Sequence, residues 1–410
     1  MKWREKQTRK TLIGIVIFLT LFLLAVSWTT GRQYAIKKAN ESQLTVSQAR
    51  QSSQAAANSS SAPKIDTKAN RHQLSPDIMG TINPELQTKL ATSLRNINFI
   101  GTGVIAKHGQ IVAVWSNGYA DANTGRKNGL DTTYNINSMQ KSITGTLVMQ
   151  QVVAGKIKLS DPLSKYYPEA AYSRSITIRQ MLNMTSGLTM TSMGEGPYVS
   201  DEVTIANDIE RLQFNNNSYN KWNYQAVNYV LLVGILEKVT KKSYHDLVMK
   251  NIVKRLKLEQ TAFSYELTDY DLGATSYNGK VGMPYQKSLI LNPDTQHYEL
   301  GTGQMFMSVG DFYLTVRSML DGTLISKADA NVLFSGNYGG GFYNHPQSKI
   351  SNGAGVYFGS TIHVSKDGQS AILLMSNYAG DYNQLKLTAN QLEKAVFLPE
   401  TNQELNKYHD

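Results

Sequence analysis

A hairpin pattern near the start of the folded stretch and a second near its end bracket a long middle that reads as helix. This arrangement restricts the fold more than any other feature of the sequence. Residues 102–106 and 111–116 alternate as strands around His108-Gly109. Residues 360–364 and 371–376 do the same around Lys366-Asp367-Gly368. Asn83-Pro84 supplies a helix cap followed by proline at the first helical position, and Leu86, Leu90 and Leu94 then recur on one face. A last amphipathic segment spans residues 382–396, with Leu385, Leu392 and Val396 apolar. Residues 138–290 read mainly as helices and long loops. Strands at both ends around a helical insert predict an α/β sheet domain split by a helical one, with a cleft between them as the expected site.

The rest of the composition narrows the chemistry. The chain has 410 residues and no cysteine, which removes disulfides, thiolate metal sites and cysteine nucleophiles together. Its seven histidines are scattered and show no ligand spacing, so no metal site is expected. The net charge is +10. Residues 1–80 carry 12 Lys or Arg against 4 Asp or Glu, so +8 of the total lies there and +2 remains for residues 81–410. A nearly neutral folded part argues against a nucleic-acid partner.

The basic N-terminus suits a membrane surface better. Lys2, Arg4, Lys6, Arg9 and Lys10 precede an uncharged apolar run over residues 11–28 that is just long enough to cross a bilayer. The reading is a short cytoplasmic N-terminus (1–10), a transmembrane anchor (11–28) and a flexible extracellular linker (29–77), with the folded domain at 78–410. A cleaved signal peptide is the alternative, since Ala25-Val26-Ser27 resembles a cleavage site. The anchor is favoured because the apolar run exceeds the usual signal-peptide core. In the linker, Ser, Ala, Gln and Asn dominate, and apolar residues are too few to offset chain entropy.

Ser138-Met139-Gln140-Lys141 is an S-x-x-K. At helical spacing the two polar side chains share a face, one turn apart. A lysine amine accepts a proton only when neutral, and burial disfavours the ammonium. A serine at a helix start also has free backbone N–H groups beside it for an oxyanion. The motif occurs three times, as Ser61/Lys64, Ser138/Lys141 and Ser218/Lys221. The first lies in the linker and the third in the polar stretch NNNSYNK. Only Ser138 opens a strongly apolar helix, SMQKSITGTLVMQQVVAG. An ordinary lysine snorkelling at a helix start is the plain alternative.

From about residue 99 to 377 the sequence resembles the serine β-lactamase, penicillin-binding protein and D-alanyl-D-alanine carboxypeptidase family. The matching segments come in order: FIGTGVIAKHGQIVAVWSNGYAD, DTTYNINSMQKSITG, GKIKLSDPLSKYYPE, ITIRQMLNMTSGL, WNYQAVNYVLLVGILEKVTKKSY and GTGQMFMSVGDF. The resemblance implies an α/β + all-α fold, a β-lactamase/transpeptidase-like antiparallel sheet flanked by helices with a helical subdomain. It also implies Ser138 as nucleophile, Lys141 as base, Tyr224 as their partner in proton transfer, and no cofactor.

Two positions depart from the family pattern. Its second motif, Tyr-x-Asn, reads Tyr224-Gln225-Ala226, so the carboxamide is missing. Asn228 follows two residues further along a helix, where it faces elsewhere. The third motif, Lys or His then Ser or Thr then Gly, is matched by Ser351-Asn352-Gly353 followed by Ala354, and no basic residue leads it. Residues 351–354 are the expected substrate-binding strand. The family's His-Thr-Ser-Gly reads Met184-Thr185-Ser186-Gly187, which suggests a packing change. A substrate carboxylate would lose a charge-assisted contact here. The expected substrate is therefore a D-alanyl ester of an envelope polymer such as teichoic acid, as in the D-alanyl esterases of this family. A peptidoglycan stem peptide, which makes the protein a carboxypeptidase or weak β-lactamase, is the second reading. A non-catalytic wall-binding protein is the third.

Overall fold

The asparagine–proline pair at 83–84 starts a helix. Asn83 Oδ1 accepts a hydrogen bond from the Leu86 N–H at 3.0 Å, and Pro84 fills the first turn of α1 (Pro84–Asn96). Strands β1 (Gly101–Lys107) and β2 (Gln110–Asn117) follow. Their turn residues, His108 and Gly109, have φ of 51° and 78°, the left-handed pair that matches hairpin twist. Then come α2 (Lys141–Val153), α3 (Val227–Thr240), β3 (Ser276–Lys280), β4 (Met283–Leu289) and α4 (Val309–Leu320). The chain continues through β5 (Tyr338–Gly339), β6 (Phe342–Asn344), β7 (Ser348–Gly355), β8 (Phe358–Ser365), β9 (Ala371–Ser376) and α5 (Tyr382–Phe397).

This computed structural model describes residues 78–397, apart from 195–196, 268–272, 281, 290, 379 and 381. The expected cytoplasmic N-terminus, anchor and linker lie outside the described residues. Among the described residues no helix is long and apolar enough to cross a membrane.

The main sheet has seven strands in the order β5-β6-β7-β8-β9-β1-β2. Every pairing in it is antiparallel. Gly101 pairs with Ser376 and Ala106 with Ala371, so the two hairpins from opposite ends of the sequence lie side by side. Alternate side chains face opposite ways. Ile105, Ala113, Ile372 and Leu374 pack with Leu90 and Leu94 of α1 and Leu385 and Leu392 of α5. Val104, Ile111, Leu373 and Met375 belong instead to the larger core that includes Phe312 and Val316 of α4. Leu374 is 0% exposed, so Leu374→Ala would cost about 2–5 kcal/mol. The helical part centres on α3, which is buried continuously from Val227 to Leu236 and packs against α2. A helix apolar on all sides is a core helix.

The stretch 138–290 is mainly helix and loop, as expected, and it also contains an antiparallel hairpin, β3 and β4. Met283, Gln286, Lys287 and Ser288 are exposed, so the hairpin carries no apolar alternation for sequence reading to detect.

Candidate active site

Ser138 sits in a 3₁₀ turn, Asn137–Gln140, that leads directly into α2. Such a turn eclipses residues i and i+3. Lys141 therefore stands over Ser138, and its Nζ donates to Ser138 Oγ at 3.0 Å. Lys141 is 1% exposed, and its Nζ also reaches the Thr302 carbonyl at 3.5 Å. Asn137, just before the nucleophile turn's serine, has φ 45°. Asn135 Oδ1 holds it by accepting from the Asn137 N–H at 2.8 Å. Further contacts clamp the turn from the glycine-rich segment 301–304. The Gln304 N–H donates to Gln140 Oε1 at 2.6 Å, and Thr144 Oγ1 donates to the Gly301 carbonyl at 2.7 Å.

Tyr224 comes from the loop before α3. Its hydroxyl donates to Ser138 Oγ at 2.8 Å. The loop is fixed by Met184: its carbonyl accepts from the Asn223 N–H at 2.8 Å and its sulfur from the Gln225 N–H at 3.5 Å. Asn228 is buried and turned into the same segment. It accepts from Ser186 Oγ at 2.6 Å and donates to the Gln225 carbonyl at 2.9 Å. Its amide is thus engaged inside the protein, and Ala226 offers none.

Strand β7 forms the opposite side. Strand β6 pairs with it only at Ile350 and Lys349, which leaves residues 351–355 with one unpaired edge. That end of β7 packs against the nucleophile turn. A Cβ on Gly353 would lie 2.2 Å from the Ile136 carbonyl, so only glycine allows this approach. Ser351 is 1% exposed and donates to the Gly341 carbonyl at 2.9 Å. Asn352 Oδ1 accepts from Thr361 Oγ1 at 2.8 Å. Ala354 is exposed. Lys349, two residues upstream on the same face as Ser351, is buried. Its Nζ donates to Asn344 Oδ1 at 2.7 Å and to the Phe334 carbonyl at 3.1 Å. Burial, helped by the charge of Lys366, pushes its ammonium down to about 8.

A family model described as Beta-lactamase matches residues 99–395. The chain belongs to the β-lactamase family. It is 30% identical over 333 residues to the putative penicillin-binding protein PbpX of Bacillus subtilis, covering 80% of this chain and 82% of that one. It is 28% identical over 309 residues to the teichoic acid D-alanine hydrolase of Staphylococcus aureus, covering 73% and 75%. The crystal structure of FmtA from Staphylococcus aureus superposes with a TM-score of 0.68 at 25% identity, covering 81% and 94%. The fold is thus the antiparallel sheet flanked by helices of this family, and the protein is a serine hydrolase.

For a β-lactamase-family chain, the geometry brings together Ser138, Lys141 and Tyr224. Lys141 Nζ and the Tyr224 hydroxyl both lie within hydrogen-bond reach of the one serine oxygen, where either can exchange a proton with it. Of the strand residues, Gly353 and Ala354 lie on the edge that β6 leaves unpaired, while the side chains of Ser351 and Asn352 are engaged within the protein. Sequence reading missed an aromatic group beside the serine. Tyr338 lies edge-on to Tyr224 at 6.3 Å, Tyr343 to Tyr338 at 4.9 Å, and Trp222, 50% exposed, is 6.0 Å from Tyr343. Burial pushes the Tyr343 hydroxyl up to about 12, so it stays protonated. The only sequence trace of the group is aromatic residues on either side of the Gly339-Gly340-Gly341 run.

Proposed function

We propose that this β-lactamase-family hydrolase is a D-alanyl esterase acting on an envelope polymer of the teichoic acid type. One observation carries the reading: Ser138 Oγ has two hydrogen-bond donors, while the strand opposite offers no cation to a substrate carboxylate. Ser138 Oγ attacks the ester carbonyl, and its proton passes to the Lys141–Tyr224 pair. Backbone N–H groups of Ser138 and of residues 353–355 hold the oxyanion. The polymer hydroxyl leaves with that proton, and water then releases free D-alanine and restores the serine. No metal or cofactor enters this sequence. The apolar run at 11–28 would anchor the chain in the membrane with its N-terminus inside and the hydrolase outside. The linker would let it reach polymer on the same membrane. The test is to assay D-alanine released from D-alanylated teichoic acid and from a D-alanyl-D-alanine peptide. Release from the ester polymer alone supports the reading; release from the peptide alone overturns it in favour of a carboxypeptidase.

A further inference from the structure

Where the main sheet ends, the start of α5, the end of α1 and the β3–β4 hairpin enclose an open cavity of about 810 Å³. Among the described residues two lysines, Lys127 and Lys280, line it. Tyrosines form much of the wall. The Tyr285 hydroxyl accepts from the Tyr119 N–H at 2.8 Å, and the two rings meet edge-on at 5.4 Å. Lys127 Nζ lies 3.5 Å from the centre of the Tyr119 ring, which holds the ammonium on the cavity wall. Asn96 and Asn98 also line it.

None of Ser138, Lys141 or Tyr224 lines the cavity, but a strand beside them leads to it. Gly359 of β8 lines it, and Gly359 is the cross-strand partner of Ala354 of β7. Such partners lie about 5 Å apart. The cavity therefore opens one strand away from the edge that packs against the nucleophile turn.

We propose that this cavity binds an anionic polyol-phosphate chain while an ester group of that chain occupies the serine site. The inference rests on the esterase reading. A polyol phosphate alternates phosphodiester anions with hydroxylated carbon stretches. The two lysines suit the anions. Tyrosine rings cover C–H faces while amides meet hydroxyls. The volume also exceeds what one alanyl ester needs, as expected for a site that holds a length of polymer.

The experiment compares the full chain in detergent with its Lys127→Ala/Lys280→Ala variant. Binding of an ester-free poly(glycerol phosphate) oligomer is measured by titration across salt concentrations. Both proteins share the basic N-terminal residues, so only the difference between them is read. The variant should bind about tenfold more weakly or worse, with a shallower salt dependence, and should hydrolyse a short phosphate-free D-alanyl ester as fast as wild type. Equal binding by the two proteins, or no binding by wild type, overturns the proposal. So does equal wild-type affinity for an uncharged polyol of the same length. Binding of the oligomer without hydrolysis of any D-alanyl ester would keep the cavity and remove the esterase reading. Ester hydrolysis without oligomer binding would do the reverse.

Discussion

Two strips of chain meet at Ser138, and they differ in where their polar atoms are directed. In the nucleophile turn and the Tyr224 loop, the amine and the phenol both aim at one serine oxygen. In the strip 349–354, the lysine, the serine and the asparagine all aim into the protein, at Asn344, Gly341 and Thr361. On the esterase proposal the first strip breaks the acyl bond, while the second, whose polar side chains hold the sheet, presents backbone. Reaction type and the usual carboxylate substrate then separate on one fold.

The largest expected effect lies in the first strip. Ser138→Ala should lower ester turnover by about 10⁴-fold or more with the melting temperature unchanged, because one hydroxyl at a turn is lost and residues acting as a unit are not additive. Steady-state assay of D-alanine release checks it; a variant within tenfold of wild type would remove Ser138 from the chemistry. Lys141→Ala and Tyr224→Phe should each lower kcat by about 10²–10⁴-fold, the range for a positioned proton-transfer group. If either leaves kcat intact and raises only KM, that residue binds substrate rather than moving a proton. The double variant should be no worse than about the worse single one, since both act on the same oxygen.

Part of this contrast was legible in the sequence, and the reason is locality. The Leu86, Leu90, Leu94 repeat, the two hairpins and the final helix depend on neighbours in the chain and appear where the pattern places them. The i, i+3 spacing of Ser138 and Lys141 is local too. What escaped depends on distant partners. Thr302, whose carbonyl meets the Lys141 amine, is 161 residues away in sequence. Lys349 looks like any surface lysine until Asn344 and the Phe334 carbonyl close over it. Met184 reads as a packing residue, yet its sulfur accepts from two donors of the Tyr224 segment. The β3–β4 hairpin was unreadable for the opposite reason: it buries Ser276 and Tyr277 but exposes much of β4, so no apolar alternation marks it.

The contrast sharpens if the second strip is given back its recognition groups. Ser351→Lys with Ala226→Asn restores the cation and the carboxamide of the family's third and second motifs, whose partners on a β-lactam antibiotic are a carboxylate and an amide. Charge-assisted contacts of about 1.5–3 kcal/mol should raise the second-order acylation rate with a fluorescent penicillin by about tenfold to a hundredfold. Hydrolysis of a D-alanyl ester should not rise with it. The Ser351 change removes a buried donor from the Gly341 carbonyl, so the variant should also be less stable by about 1–3 kcal/mol. Rapid labelling of the wild type would break the comparison and favour the peptide reading.

The smallest effect concerns the lysine that the second strip has buried. The Lys349 ammonium titrates at about 8 in the folded protein, against 10.5 for the same group when exposed. Its folded value is the lower one, so between these two pH values the unfolded chain binds the extra proton. Stability then rises with pH. Below pH 8 the charged amine carries its full burial penalty; above pH 10.5 it carries none. Lys349→Met removes the titration. The variant is expected to be less stable at every pH, because Asn344 Oδ1 and the Phe334 carbonyl lose their donor. The informative quantity is the slope. From pH 7.5 to 9.5 the wild type should gain on the order of 1–2 kcal/mol relative to the variant, measured from denaturant midpoints. Tyrosine ionisation and the Lys366 charge are common to both proteins and largely cancel in the difference. Parallel stability curves would mean that Lys349 keeps its solvent in the folded state. In that case a cation lies within reach of the cleft, and the argument that this strip cannot hold a substrate carboxylate would lose its main support.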